Sequence, residues 1–176
     1  MTMNPDIIRR ILPVSTLLLD VDGVLTDGSI VYSDSGDEIK SFNAKDGLGL
    51  RLLMDAGITV GIVTGRRSQA LQKRCDNLGI TLVFDGVTDK KQVLEQFILE
   101  NGLSPDAIAF AGDDLPDIRI MKSVGFPIAV ADAAPLVKET ALYVTSSPGG
   151  HGAVREICEL ILKTKGLWDT IMERFI

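Results

Sequence analysis

The stretch LLLDVDG, residues 17–23, places two aspartates at the point where an apolar run stops. Three leucines in succession are typical of a buried strand, and Asp20 and Asp22 follow them with one valine between. Two carboxylates this close repel each other, so the pair needs something that offsets the repulsion. A cation does so most simply, and the stretch therefore predicts a bound cation at the end of a buried strand.

The composition is that of a globular protein and argues against a nucleic-acid or membrane partner. The 176 residues are 45% hydrophobic and 24% charged, which predicts one domain spanning residues 1–176. The net charge of −6 would repel nucleic acid. No signal core or membrane-length apolar run occurs, and Cys75 and Cys158 lack metal-ligand spacing, so we expect buried thiols in a cytoplasmic protein.

Short apolar runs alternate with helical patterns along the chain. The runs are residues 16–20, 58–64, 80–84, 107–112 and 127–131. Because they are apolar on both faces, they predict parallel strands covered by helices on each side, a doubly wound three-layer α/β/α sandwich with a Rossmann-like parallel sheet. Residues 153–163 support this with an apolar stripe at helical spacing, made of Val154, Ile157, Cys158 and Ile161.

Residues 29–42 break this rhythm and predict a small inserted β-hairpin. Two short β-rich segments flank SDSGD, residues 33–37, soon after the first acidic stretch. This position makes the hairpin a cap over the carboxyl end of the first strand, and in open α/β sheets that end carries the ligand site.

Polar residues follow four of the strands where those strands end. They are Asp22, then Thr64, Gly65 and Arg66, then Lys90 and Lys91, and finally Asp113, Asp114 and Asp117. If the topology brings these ends to one edge, the acids would hold a hard divalent cation, and Thr64 and a lysine would hold an anion. A metal beside an anion suggests phosphate, although each residue alone also fits a turn or a helix cap.

Four motifs resemble, in order and spacing, those of the haloacid dehalogenase superfamily. They are DVDGVLT (20–26), VTGR (63–66), Lys90 and GDDLPD (112–117). The hairpin and four further segments are similar to the small-capped subgroup that dephosphorylates 3-deoxy-D-manno-octulosonate 8-phosphate: FNAKDGLG (42–49), TGRRS (64–68), VAD (130–132) and PGGHGAVRE (148–156). That subgroup supplies a sugar acid for bacterial lipopolysaccharide.

The resemblance implies a role for each motif residue. Asp20 would be the nucleophile that forms an aspartyl-phosphate, and Asp22 would protonate the leaving sugar oxygen and then deprotonate the hydrolytic water. Mg²⁺ would be held by Asp20, the backbone carbonyl of Asp22 and Asp113, while Thr64 and Lys90 would bind the phosphoryl oxygens. An aspartate two residues after the nucleophile favours a phosphatase over a dehalogenase, since a halide needs no proton.

Neighbouring residues leave alternatives open. Lys91 competes with Lys90 for the third motif. Asp114 and Asp117 could reach the metal through water, orient Lys90 or cap a helix.

A sugar acid also carries a carboxylate, so its pocket needs a second cation. Arg66 is the first candidate, with Arg67 as its alternative, and Asn43 and Lys45 are plausible neighbours. His151 stands where the subgroup often has Lys or Arg, and it fits either substrate binding or a surface loop.

The resemblance also implies a homotetramer in which a neighbouring subunit covers the site. The hairpin supplies apolar side chains that one subunit could fail to bury, or that pack on its own domain: Ile30, Val31, Tyr32, Ile39 and Phe42. The tail predicts an amphipathic closing helix over residues 167–176, packed either on its own core or near an adjacent site.

These features predict a Mg²⁺-dependent phosphatase for 3-deoxy-D-manno-octulosonate 8-phosphate. The nearest rival is the same chemistry on a nine-carbon sialic-type acid 9-phosphate. A non-catalytic oligomerisation module of a sugar-activating enzyme is the second alternative, and the intact motif residues argue against it.

Overall fold

The strand β1 (Thr16–Leu19) runs through the middle of a six-stranded parallel sheet, and all four of its residues are buried. A computed structural model describes residues 4–175. Thr16 pairs with Thr59 on one side and Ile108 on the other. The sheet has the order β5-β4-β1-β6-β7-β8, in which the other strands are β4 (Thr59–Val63), β5 (Leu82–Phe84), β6 (Ile108–Gly112), β7 (Phe126–Ala129) and β8 (Tyr143–Val144).

Helices flank the sheet and complete the three layers that the apolar runs predict. One group packs around the contact between α2 (Ala44–Asp55) and α7 (Ala153–Thr164), and it includes α1 (Pro5–Ile11), α3 (Gln69–Leu78) and α8 (Trp168–Met172). The second group consists of α4 (Lys90–Asn101), α5 (Ile118–Met121) and α6 (Pro135–Thr140). The predicted fold class is thus confirmed. The short strand β8 was not predicted, because two residues are too few to show a period.

The predicted helical stripe on α7 lies in the core, where Val154, Ile157, Cys158 and Ile161 are fully buried. Cys75 is also buried, and both cysteines are free thiols, as expected. Within residues 4–175, no helix is both long and apolar enough to cross a bilayer.

The tail packs against its own subunit. Ile171 of α8 is buried, and Leu167, Trp168 and Met172 lie partly buried against the core. Lys163 Nζ sits 4.6 Å from the centre of the Trp168 ring. Phe175 is exposed, and Ile176, the last residue of the predicted tail helix, lies outside the described residues. Own-core packing is the alternative that the structure supports.

The predicted hairpin is present as two antiparallel strands, β2 (Val31–Tyr32) and β3 (Glu38–Ile39). Gly36, at φ +85°, allows the tight turn between them. Ile30, Val31, Tyr32 and Ile39 are about half exposed or more, whereas Phe42 packs against the core. The hairpin therefore leaves most of its apolar surface uncovered in one subunit.

Candidate active site

The carboxyl ends of the parallel strands open into a cleft of about 610 Å³. Parallel strands end at the same edge of a sheet, so the polar residues that follow them meet there. Six of the predicted site residues line the cleft: Asp20, Asp22, Thr64, Arg66, Lys90 and Asp113. Gly28, Asp114, Asp117 and Arg119 are also among its walls.

The loop after β1 makes a tight turn, and this turn places the loop against the end of β6. The backbone N–H groups of Val24, Leu25 and Thr26 all point to the carbonyl oxygen of Val21. Gly23 has φ +90°, and a Cβ on it would collide with the carboxylate of Asp113. A glycine is therefore required for the two acidic loops to approach each other.

Lys90 connects two of the carboxylates. Its Nζ lies 3.0 Å from Oδ1 of Asp20 and 2.6 Å from Oδ1 of Asp117, and its side chain is only 8% exposed. Burial, opposed by the charge of Lys90 and reinforced by that of Asp117, raises the pKa of Asp20 to about 6. Burial lowers the pKa of Lys90, but the two carboxylates outweigh it and the net shift is upward. Lys90 therefore stays cationic, as an anion-binding group must.

Asp113 offers a buried side-chain oxygen to a ligand in the cleft. Its Oδ1 is buried and has no hydrogen-bond partner among residues 4–175. Burial, together with the neighbouring carboxylates of Asp20, Asp117 and Asp114 and against the opposing charge of Lys90, raises the pKa of Asp113 to about 7. A buried carboxylate that lacks a partner costs free energy, and a cation beside it removes that cost.

The acids fit a hard divalent cation such as Mg²⁺. Asp20, Asp113 and Asp117 each offer an oxygen within 4.8 Å of the others. However, Asp117 already accepts from Lys90 on Oδ1 and from the backbone N–H of Asp113 on Oδ2, at 3.0 Å. Asp117 is thus occupied in orienting Lys90, and Asp20 and Asp113 are the side chains left for direct ligation.

Thr64 directly follows β4, and both its backbone N–H and its carbonyl are hydrogen-bonded. Its N–H donates to the carbonyl of Phe84, and its carbonyl accepts from the N–H of Val87. The side chain is buried at the floor of the cleft, where Oγ1 accepts from the backbone N–H of Arg66 at 3.3 Å. The hydroxyl proton of Thr64 remains available for an anion in the cleft.

The two alternatives to Lys90 and Arg66, namely Lys91 and Arg67, both lie away from the acids of the cleft. Lys91 pairs with Glu95 at 3.2 Å along α4, so Lys90 is the lysine that reaches the acids. Arg67 is mostly exposed and lies 3.5 Å from Asp85, outside the cleft walls.

Three predicted substrate ligands, Asn43, Lys45 and His151, do not line the cleft. Asn43 caps α2, where its Oδ1 accepts from the N–H of Lys45 at 2.8 Å, and its Nδ2 donates to the carbonyl of Gly150 at 3.2 Å. Lys45 and His151 are exposed. Their roles in substrate binding stay predictions.

Two residues with a place near the site were missed, Glu38 and Lys40. Lys40 donates a hydrogen bond to Asp22, and Arg66 Nη2 lies 2.6 Å from Oε2 of Glu38. A signal was present in the sequence, because residues two apart on a strand share a face and Glu38 and Lys40 are so spaced in the predicted hairpin.

Comparison with known proteins gives a consistent result. A family model described as haloacid dehalogenase-like hydrolase matches residues 82–157. The 3-deoxy-D-manno-octulosonate 8-phosphate phosphatase KdsC of Escherichia coli strain K12 is 41% identical, over 95% of this chain and 89% of the relative. The enzyme of the same name from Yersinia pestis is 45% identical, over 89% and 84%.

A solved structure extends this similarity to three dimensions. The crystal structure of the phosphatase of that name from Moraxella catarrhalis, in complex with a magnesium ion, a phosphate ion and a KDO molecule, superimposes with a TM-score of 0.96. Its sequence is 37% identical, and the match covers 99% of this chain and all of the other.

Proposed function

The chain belongs to the haloacid dehalogenase-like hydrolases, among the 3-deoxy-D-manno-octulosonate 8-phosphate phosphatases, and from this premise we propose how it works. It is a phosphoric monoester hydrolase that releases the free sugar acid and inorganic phosphate from this ester with Mg²⁺ as cofactor. One observation carries the assignment of residues: Asp20, Thr64, Lys90 and Asp113 open into one cleft, with Lys90 Nζ 3.0 Å from Asp20.

In the first step, a carboxylate oxygen of Asp20 attacks phosphorus and the bond to the sugar oxygen breaks. Asp22 gives its proton to that oxygen, so the sugar leaves as an alcohol. Thr64 and Lys90 hold the phosphoryl oxygens by a hydrogen bond and by positive charge. Mg²⁺, held by Asp20, Asp113 and the backbone carbonyl of Asp22, neutralises charge that builds on the phosphoryl group.

In the second step, Asp22 accepts a proton from a water molecule that attacks the aspartyl-phosphate. The bond between phosphorus and Asp20 breaks, which releases phosphate and restores the carboxylate. Asp22 is suited to both steps because it lines the cleft next to Asp20 while its side chain stays 22% exposed, within reach of water.

The eight-carbon substrate is favoured over the nine-carbon alternative because the curated relatives are named for the eight-carbon ester. A purely structural role is disfavoured because the cleft keeps a complete set of acids, a threonine and a lysine.

For the sugar carboxylate, Arg66 is the proposed cation, and its place on the cleft wall supports this. Asn43, Lys45 and His151 stay proposed as more distant contributors.

The test is a panel of sugar-acid phosphates assayed for kcat/KM with and without Mg²⁺. The eight-carbon ester should rank first, and Asp20→Asn should abolish turnover, with at least about a 10³-fold loss, since no covalent intermediate can form. Asp169→Asn, an exposed aspartate on α8, is the matched control and should retain parent activity. Phosphate release from Asp20→Asn at the parent rate would exclude the covalent mechanism.

We propose further that the chain assembles as a homotetramer through a hairpin patch of Ile30, Val31, Tyr32 and Ile39. These side chains are 48% to 61% exposed. A contiguous exposed apolar patch of this kind is typical of a surface that contacts another protein. Val31→Glu should dissociate the assembly in sedimentation and reduce turnover, whereas Leu99→Glu, at an 81% exposed position on α4, should change neither. A dissociated Val31→Glu protein with full turnover would refute a shared cap.

The setting proposed for this activity is the cytoplasm, supported by two buried cysteines that remain free thiols. The whole chain is proposed to act as one hydrolase domain, since the hairpin is a small insert and the main sheet has a single core.

A further inference from the structure

Four alternating charges form a closed ring beside the cleft, and two of them, Asp22 and Arg66, line its wall. Lys40 Nζ donates to Oδ1 of Asp22 and lies 2.9 Å from Oε1 of Glu38. Arg66 closes the ring, with Nη2 2.6 Å from Oε2 of Glu38 and Nε 3.9 Å from Oδ2 of Asp22. We call Asp22, Lys40, Glu38 and Arg66 the four-charge ring. Two of its members come from the hairpin and two from the loops after β1 and β4.

Lys40 is the unusual member, because its side chain is only 3% exposed although the hairpin around it is largely open to solvent. Withdrawing an ammonium group from water is costly unless it is paired. Its pairs are Glu38, its neighbour on the hairpin, and Asp22, a residue of the cleft. The hairpin therefore places the ammonium group of Lys40 against Asp22, the carboxylate assigned to proton transfer.

Stability of the hairpin does not explain this arrangement. Two strands of two residues each have little stability of their own. Glu38 of the hairpin already pairs with Arg66, which follows β4, so Lys40 is not needed to tie the hairpin to the cleft. A second effect of the contact is geometric: Lys40 fixes one oxygen of Asp22, and the other lies 3.9 Å from Arg66 Nε, beyond hydrogen-bond distance.

We infer that Lys40 is a positioning residue for Asp22, and that Glu38 holds Lys40 in place. With Oδ1 engaged, Oδ2 of Asp22 is the oxygen that faces the leaving group and later the water. The hairpin thus takes part in catalysis in its own subunit, in addition to any cover it provides. The inference rests on the proposed function, because it assigns proton transfer to Asp22.

The test compares two leaving groups. A sugar alcohol must receive a proton as it departs, whereas p-nitrophenol departs from p-nitrophenyl phosphate as a stable anion. If Lys40 acts through Asp22, Lys40→Met should slow single-turnover phosphate transfer from the sugar-acid ester by about 10²-fold, the cost of a misplaced proton donor. The pre-steady-state burst of p-nitrophenol should slow by less than about 3-fold, since that step needs no proton.

Two further variants complete the experiment. Lys40→Arg keeps a cationic donor and should recover about a tenth of the parent rate on the sugar ester. Lys73→Met, which removes an exposed lysine from α3, is the matched control and should leave both rates unchanged. Melting temperatures of all variants show whether each is folded. An equal loss on both substrates would mean that Lys40 only supports the hairpin, and no loss on either would also overturn the inference.

Failure of the proposed function would look different. The parent protein would then leave the sugar-acid ester intact while still giving an Asp20-dependent burst with p-nitrophenyl phosphate. In that case the experiment uses glycerol phosphate in place of the sugar ester, because its leaving alcohol must also receive a proton. The same contrast between leaving groups should hold for Lys40→Met, and its absence would refute the role of Lys40.

Discussion

Lowering the pH should weaken Mg²⁺ binding, because the metal competes with protons for two partly buried carboxylates, those of Asp20 and Asp113. The pKa of Asp20 is raised to about 6 and that of Asp113 to about 7, in each case chiefly by burial. Both groups are therefore largely ionised at pH 7.5 and largely protonated at pH 5.5 in the metal-free protein. Mg²⁺ binds carboxylates only after their protons have left.

The magnitude follows from these two values. If both acids must ionise, protonation weakens the apparent affinity by about 10² between pH 7.5 and pH 5.5, or about 3 kcal/mol of binding free energy. Carboxylates with ordinary pKa values would be ionised throughout this interval and would give almost no change. The size of the effect thus reports directly on the burial of the pair.

The thermal stability of the metal-free protein should fall as the pH rises, because the same two carboxylates must lose their protons. The folded, metal-free protein keeps protons on Asp20 and Asp113 that the unfolded chain loses above about pH 4. Stability rises with pH only where the unfolded chain binds more protons, so this pair makes stability fall as the pH rises from about 4 to about 7. Added Mg²⁺ should therefore raise the melting temperature more at pH 7.5 than at pH 5.5.

The assay is calorimetric titration of Mg²⁺ at the two pH values, in two buffers of different ionisation enthalpy, so that proton release is counted. Asp113→Asn should bind Mg²⁺ weakly at both pH values, whereas Asp169→Asn should follow the parent. Equal Mg²⁺ affinity at pH 5.5 and 7.5, or tight binding by Asp113→Asn, would refute the reasoning.

Three further substitutions test the supports of the cleft. Lys90→Met should abolish turnover and lower the free energy of unfolding in urea by about 3 kcal/mol, since it leaves the buried Asp117 and the partly buried Asp20 without their cation. Unchanged urea midpoints would contradict this. Gly23→Ala should weaken Mg²⁺ binding at least about 10-fold in the calorimeter, because its Cβ displaces Asp113. Asp46→Asn should cost about 1 to 2 kcal/mol in urea while kcat stays within about 2-fold of the parent, because Asp46 is buried and accepts from the N–H groups that begin α7; a large loss of kcat would assign it to the site instead.

The order of strands and helices could be predicted because it depends on local periodicity. The leucines of residues 17–19 and the α7 stripe repeat at the spacing of a buried strand and a helix, and both are buried as expected. The meeting of the four strand ends was also predictable, since parallel strands end at one edge.

The pairing of individual charges could not be read in this way. Asp117 fits a helix cap, a metal ligand and a partner for Lys90 equally well in sequence, and only the fold shows both of its oxygens engaged. Asn43 fits a substrate ligand, yet its side chain caps α2 and reaches Gly150, 107 residues away.

The sequence by itself determined the layered sheet, the inserted hairpin and the set of acids, threonine and lysine at the strand ends. Only the tertiary structure decided that Lys40 turns inward to Asp22 and that one oxygen of Asp113 finds no hydrogen-bond partner within residues 4–175. The reason is physical: strand and helix formation depend on residues a few positions apart, whereas burial and ion pairing depend on which distant segments the fold brings within a few ångströms.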